Sequence, residues 1–201
     1  FKSEEIVGSD KYTDTSSSVK DFPSIISNMA LNNEYIAILS EGRVHLMKLN
    51  GEYMVEKIFP LKDTDVEIIA VVLTENFLIY SDSNSKVKVY ILKENCANIN
   101  DFKFENQIKK IFPNSNGTKY VCIDNLGKGF LFNPVNDSYI PVNNTVEIQT
   151  IIWDVSDPNV FAAVLNNYTV NTFVFMESNL EGSKLRLIMD YCYIEGNKDL
   201  K

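Results

Sequence analysis

Histidine is nearly absent from this chain: His45 is the only one in 201 residues. That excludes a metal centre built from several imidazoles and leaves no conventional Ser-His-Asp triad. His45 itself sits in the run Val44-His45-Leu46-Met47, where a solvated or packed strand residue is the expected role. Cysteine is scarce as well. Cys96, Cys122 and Cys192 are odd in number and widely spaced, with no Cys-x-x-Cys pair. This argues against a disulfide framework or a zinc site and favours a reducing, cytosolic compartment. Cys122 alternates with apolar neighbours in Tyr-Val-Cys-Ile and reads as a small core residue.

Positive charge is in deficit. The net charge is −8 and the isoelectric point about 4.7, so nucleic acid and anionic membranes are not expected partners. No apolar stretch approaches the ~18 residues of a membrane span, so direct membrane insertion is not expected. The chain opens on Phe1 without a charged segment leading into an apolar one, and reads as an internal piece whose targeting signals lie elsewhere. Asn116, Asn136, Asn143 and Asn167 each head an Asn-x-Ser/Thr pattern. Asparagine is so abundant here that chance matches are expected.

Helical periodicity is missing too, and what replaces it is β-branched and aromatic runs cut by Asn, Asp, Gly and Ser. These runs repeat. First runs begin at Ile25, Val66, Gln107 and Val146, spaced by 41, 41 and 39 residues. Second runs are Tyr35–Leu39, Phe77–Tyr80, Lys119–Ile123 and Val160–Val164. Third runs are Val44–Leu49, Val87–Leu92, Gly129–Phe132 and Val170–Phe175. A weaker fourth run closes each unit: Tyr53–Phe59, Asn98–Phe104, Ser138–Val142 and Leu185–Tyr191. The intervening turns, such as Asn114-Ser-Asn-Gly and Glu41-Gly42, tolerate the positive φ of tight hairpins.

Four antiparallel strands at a period of about 41 residues predict an all-β fold, a β-propeller of divergent repeats with four recognisable blades. The blades fall at approximately 25–65, 66–106, 107–145 and 146–194 within a propeller region 25–201, and residues 1–24 read as a linker or loop. Four blades fall short of a seven-bladed ring, which needs about 280 residues at this period, so part of a larger propeller is expected. The second runs are nearly continuous in apolar residues and read as inner strands covered on both faces, with the third runs nearer the rim.

Candidate chemistry is sparse. Asp63 and Asp65 form an Asp-x-Asp pair, but a charged turn is the better reading, since hard cations need more oxygen ligands. Asn114-Ser-Asn-Gly-Thr lacks the lysine and helix of a phosphate loop. Lys109 and Lys110 beside Phe112 are too few for a nucleic-acid site. Trp153-Asp154 spells the dipeptide of WD repeats, yet it ends a first strand rather than a third. The second-run starts Tyr35, Phe77, Lys119 and Val160 are poor catalytic material. No catalytic, cofactor-binding or metal-binding residue is therefore expected, and no cofactor.

The stretch Ile108-Lys-Lys-Ile-Phe-Pro-Asn-Ser-Asn-Gly-Thr-Lys-Tyr-Val-Cys-Ile-Asp, followed by Gly129-Phe-Leu-Phe-Asn-Pro-Val-Asn-Asp, resembles the later propeller region of the WD repeat-containing protein 19 family, the intraflagellar transport protein 144 homologues. The likeness extends to Phe77-Leu-Ile-Tyr, Thr150-Ile-Ile-Trp, Tyr168-Thr-Val-Asn-Thr-Phe-Val-Phe and Leu180-Glu-Gly-Ser-Lys-Leu. It spans roughly 66–187, with nothing of it in 1–24. The resemblance implies a non-catalytic scaffold of intraflagellar transport complex A, acting in retrograde ciliary transport and delivery of ciliary membrane proteins. Its implied partners are other complex A subunits and ciliary cargo, and its implied location is cytoplasm, cilium and basal body. The alternatives are a propeller of a vesicle coat or other trafficking scaffold and, further off, a propeller enzyme.

Overall fold

The computed structural model describes residues 24–49, 55–61, 65–94, 96–97, 101–134, 138–143, 146–166, 168–176 and 184–193. Blade 1 consists of β1 (Ile26–Leu31), β2 (Tyr35–Ser40), β3 (Arg43–Lys48) and β4 (Val55–Phe59). Blade 2 consists of β5 (Ile68–Leu73), β6 (Phe77–Asp82), β7 (Lys86–Ile91), β8 (Cys96–Ala97) and β9 (Phe102–Lys103). Blade 3 consists of β10 (Ile108–Pro113), β11 (Tyr120–Asp124), β12 (Gly129–Asn133) and β13 (Ser138–Val142). Blade 4 consists of β14 (Ile148–Trp153), β15 (Val160–Leu165), β16 (Thr169–Met176) and β17 (Lys184–Tyr193). Each blade is an antiparallel meander in sequence order. The chain folds as propeller blades, as its period predicts.

One blade departs from the pattern. The outer strand of blade 2 comes in two short pieces, with β8 pairing Tyr90 and Ile91 and β9 pairing Lys86 and Val87. A single run over Asn98–Phe104 is the sequence expectation. Its Asn98, Asn100 and Asp101 are poor strand formers, and residues 98–100 lie outside the described residues. The prolines obey strand rules: Pro113 and Pro141 sit on β10 and β13, the two edge strands of their sheet, where a missing donor costs no ladder bond.

Every first strand carries a bulge at the same place, between Ile26 and Asn28, Ile68 and Ala70, Ile108 and Lys110, and Ile148 and Thr150. The extra residue bends the strand and sharpens its twist, and here it recurs with the blade period. These first strands converge. A groove of ≈ 430 Å³ is lined by Asn28–Leu31 of β1, Ala70–Leu73 of β5 and Lys109–Pro113 of β10. The channel-facing strands are thus the first runs, not the second. The second runs are apolar because each is flanked by strands within its sheet and by sheets on its faces, and that sandwiching, not nearness to the channel, produces the pattern.

Side-chain alternation assigns the two faces of blades 2 and 3 to two different seams. Between blades 1 and 2, Ala37, Leu39, Val44, Leu46 and Phe59 meet Ile68, Leu78, Tyr80 and Tyr90. Between blades 2 and 3, Ala70, Ile79, Val87 and Val89 meet Ile108, Tyr120, Cys122 and Phe132. Between blades 3 and 4, Val121, Ile123 and Leu131 meet Ile151, Phe161, Ala163 and Phe173. Adjacent residues of β11, Val121 and Cys122, therefore serve opposite seams, and both are fully buried. Aromatic contacts cross the first two seams, Phe59 against Tyr90 at 4.9 Å and Phe102 against Phe132 at 4.4 Å, and in the third Phe161 and Phe173 of blade 4 stack on each other at 5.2 Å. Each fully buried large side chain is worth roughly 1.5–3 kcal/mol of transfer free energy.

Candidate interaction rims and groove

A meander puts its turns on two rims. The turns β1–β2, β5–β6, β10–β11 and β14–β15 share one; the turns β2–β3, β6–β7, β11–β12 and β15–β16 share the other. On the first rim, asparagine and tryptophan tie blade to blade. Asn32 Nδ2 donates to the Thr74 carbonyl at 2.7 Å. Asn114 Nδ2 donates to the Pro158 carbonyl at 2.9 Å, while its Oδ1 accepts from the Thr118 and Lys119 amides. The Trp153 indole N–H donates to the Phe112 carbonyl at 3.0 Å. Asn114 is buried at 4% exposure, so its amide is a structural member of a hairpin, consistent with the turn chemistry read from Asn114-Ser-Asn-Gly-Thr.

Trp153 ends β14, a first strand, and packs on Phe161 at 4.9 Å. Asp154 then caps the turn. Its Oδ1 accepts from the Ser156 hydroxyl and amide and from the Asp157 amide, and these bonds, the Ser156 hydroxyl foremost, hold its carboxyl below the usual range. This Trp-Asp pair is a turn device, not a WD-repeat signature.

On the second rim a residue that sequence reading missed organises two of the turns. Asp82 Oδ1 accepts from the Asn84 and Lys86 amides, and Asp124 Oδ1 accepts from the Leu126 and Lys128 amides. Both carboxylates are nearly inaccessible, at 1% and 2%. The second oxygen of Asp124 accepts from Asn106 Nδ2 at 3.0 Å, and that of Asp82 lies 3.9 Å from Lys88 Nζ. The signal was present as Asp-x-x-x-Lys at 82–86 and 124–128. Turns of this rim in blades 1 and 3 also key into the next blade. The Ile68 amide donates to the Gly42 carbonyl and the Ile148 amide to the Gly127 carbonyl. Gly127, at φ +76°, has no room for a side chain: a Cβ there would lie 1.9 Å from Glu147 Cγ.

The remaining sequence candidates fall apart from one another. His45 is half-buried on β3, opposite Ile38 and Ile58, and burial lowers its pKa from 6.5. Cys122 is fully buried between blades 2 and 3, and burial pushes its thiol pKa up. Cys96 lies on β8 and Cys192 on β17. Lys109 and Lys110 are exposed on β10 along the groove, and Lys110 Nζ donates to the Gln149 carbonyl of blade 4 at 2.9 Å. Asp65 is exposed, whereas Asp63, Asn136 and Asn167 lie outside the described residues. Asn116 and Asn143 are exposed, and Asn116 Oδ1 is engaged by the Thr118 hydroxyl at 2.6 Å. Among the described residues no group of three or more His, Cys, Asp or Glu side chains gathers into a metal-binding cluster, and no helix is long and apolar enough to cross a membrane.

The arrangement is thus a stack of blades whose faces are used on one another, leaving two loop rims and a groove for other molecules. The sequence pattern described as WDR19 second beta-propeller matches residues 9–200. That match reaches well outside 66–187 and includes most of the segment 1–24, in which the resemblance alone found nothing. WD repeat-containing protein 19 of Homo sapiens is 30% identical over 176 residues, 83% of this chain and 13% of that protein. The Mus musculus protein of the same name is 28% identical over 176 residues, 83% of this chain and 13% of that protein. WD repeat-containing protein dyf-2 of Caenorhabditis elegans is 25% identical over 171 residues, 82% of this chain and 12% of that protein. The chain therefore spans about an eighth of the length of these relatives. It belongs to the WDR19 second beta-propeller family.

Proposed function

We infer that this chain is a non-catalytic, protein-binding part of the intraflagellar transport machinery, within complex A. It serves retrograde ciliary transport and the delivery of membrane proteins to cilia. Its partners are other complex A subunits and ciliary cargo, and it works in the cytoplasm, at the basal body and in the cilium. Residues 25–201 supply the blades and 1–24 lead into them. The observation that carries this reading is the family match over residues 9–200. The build supports it. Rigid seams hold loops on two rims, the arrangement that suits a scaffold, and the groove is lined mainly by aliphatic residues such as Ala30, Leu31, Val71 and Leu73. A tagged full-length protein carrying this chain should recover complex A subunits from ciliated cells. Recovery of vesicle-coat subunits instead would overturn the ciliary assignment.

A further inference from the structure

The second rim has a position at which all four turns enter the left-handed region of backbone space. Blade 1 places Gly42 there (φ +69°), blade 2 Ser85 (φ +61°), blade 3 Gly127 (φ +76°) and blade 4 Tyr168 (φ +63°). Glycine takes this conformation freely, whereas a bulky residue meets its own backbone. Tyr168 nevertheless holds it with its side chain turned outward, at 80% exposure. The fold does not call for the ring. The bond from the Tyr168 amide to the Leu165 carbonyl across the turn would be made equally by glycine. A strained, exposed aromatic residue whose sibling positions are small marks a site selected for something outside the fold.

Its surroundings say what. Glu147 opens blade 4 and spans the joint: its side chain covers Gly127 of blade 3, its carbonyl accepts the Asn166 amide, and its Oε2 lies 3.4 Å from Asn166 Nδ2. Beside Gly127, Leu126 stands 59% exposed. Leu126 adjoins Gly127, which Glu147 covers, and Tyr168 lies two residues beyond Asn166, which Glu147 bonds, so these exposed side chains share the rim at the joint of blades 3 and 4, as does the exposed Lys128 of the blade 3 turn. The corresponding tips in blades 1 and 2 carry Glu41 and Asn84, both exposed and neither apolar. A carboxylate so placed complements a cation set between apolar residues. The phenol ring offers a second, cation–π contact, and tyrosine is among the residues that anchor interfaces.

We propose that the strip Leu126–Glu147–Tyr168 is a docking site for a basic amphipathic peptide segment of a partner protein. A Lys or Arg of that segment meets Glu147 while its apolar neighbours cover Leu126 and Tyr168. The charge of −8 on the chain favours the encounter with such a segment. The site rests on the rim geometry alone. Its test reads the rim directly, so its failure is distinguishable from failure of the ciliary assignment.

The test measures fluorescence anisotropy of the labelled peptide Leu-Arg-Leu-Arg-Leu against the full-length protein carrying this chain. The expected result is saturable binding, weakened about tenfold by Tyr168→Gly and by Glu147→Gln, the scale of an interface anchor residue. Glu75→Gln on the opposite rim should leave it unchanged. Because Tyr168→Gly relieves the left-handed strain, the variant keeps the fold, and its unfolding midpoint checks this. The proposal is overturned by absence of binding, by equal affinity in the rim variants, by an equal loss with Glu75→Gln, or by equally tight binding of Ser-Arg-Ser-Arg-Ser, which would mean charge alone. Self-association of the wild type that disappears in Tyr168→Gly, with no peptide bound, would assign the strip to a second copy and likewise overturn it.

Discussion

Strands β11 and β15 occupy the same position in neighbouring blades and look alike as sequence. Yet every residue of β11 is buried, whereas β15 alternates, with Phe161, Ala163 and Leu165 buried and Val160, Ala162 and Val164 only half-buried. β11 has blade 2 on one face and blade 4 on the other. β15 has blade 3 on one face, and among the described residues no sheet packs on its other face. Burial on a propeller strand is therefore decided by the neighbouring blade and not by the strand's own composition. Stability should accumulate seam by seam.

This difference can be broken by substitution. Phe132→Ala, in the interior seam, should cost about 3–5 kcal/mol in urea unfolding, the usual range for a fully buried phenylalanine. Val121→Ala on β11 should cost about 2 kcal/mol and Val164→Ala on β15 less than about 1 kcal/mol, in proportion to the apolar area each hides. Equal losses at Val121 and Val164 would mean that something covers the outward face of blade 4 after all. A second contrast lies in the turns. Asp124→Ala frees two amides and should cost about 1–3 kcal/mol, with faster hydrogen exchange at Leu126 and Lys128.

Smaller effects sharpen the same picture. Gly127→Ala should destabilise and Tyr168→Gly should stabilise by up to about 1 kcal/mol, because the two residues share a left-handed backbone but differ in what it costs them. Least of all, acid should weaken blade 1 through His45. Burial lowers its folded pKa below 6.5, so the unfolded chain binds the proton first. The contribution is complete above pH 6.5 and is lost as pH falls through the folded pKa. His45→Gln should flatten that part of the stability profile, measured by unfolding across the same range.

The second and third strands were legible because their apolar runs are long and bounded by Asn and Gly. Val160–Val164 and Val44–Leu49, for example, coincide with observed strands to within a residue. Blade 2's outer strand was legible only as one weak run, Asn98–Phe104, since its division into β8 and β9 is revealed by their pairing with β7. The identity of the channel-lining strand was not legible, because Ile-Ile-Ser-Asn-Met-Ala states a strand but not its place in a stack. Asp82 and Asp124 resemble any polar turn residue until their shared spacing to Lys86 and Lys128 is noticed. Tyr168 was visible as a letter, but its meaning needed a backbone angle. The strip around Glu147 joins residues from two blades, and no local pattern could bring them together.

The seating of Glu147 on Gly127 has a counterpart two seams earlier, where a Cβ on Gly42 would touch Glu67 at 3.0 Å. The same glycine-and-glutamate joint thus stands at the first and third seams, like a plug and socket of one standard, while the seam between them has Ser85 and Gln107 at the corresponding places. A fold jointed in this way can lose or duplicate a pair of blades and still find a matching socket. An insertion or deletion of half a blade presents a plug with nothing to enter. Lineages of this family are thus expected to vary by pairs of blades, with breakpoints just before Glu67 and Glu147, and comparison of blade counts among its members would show whether they do.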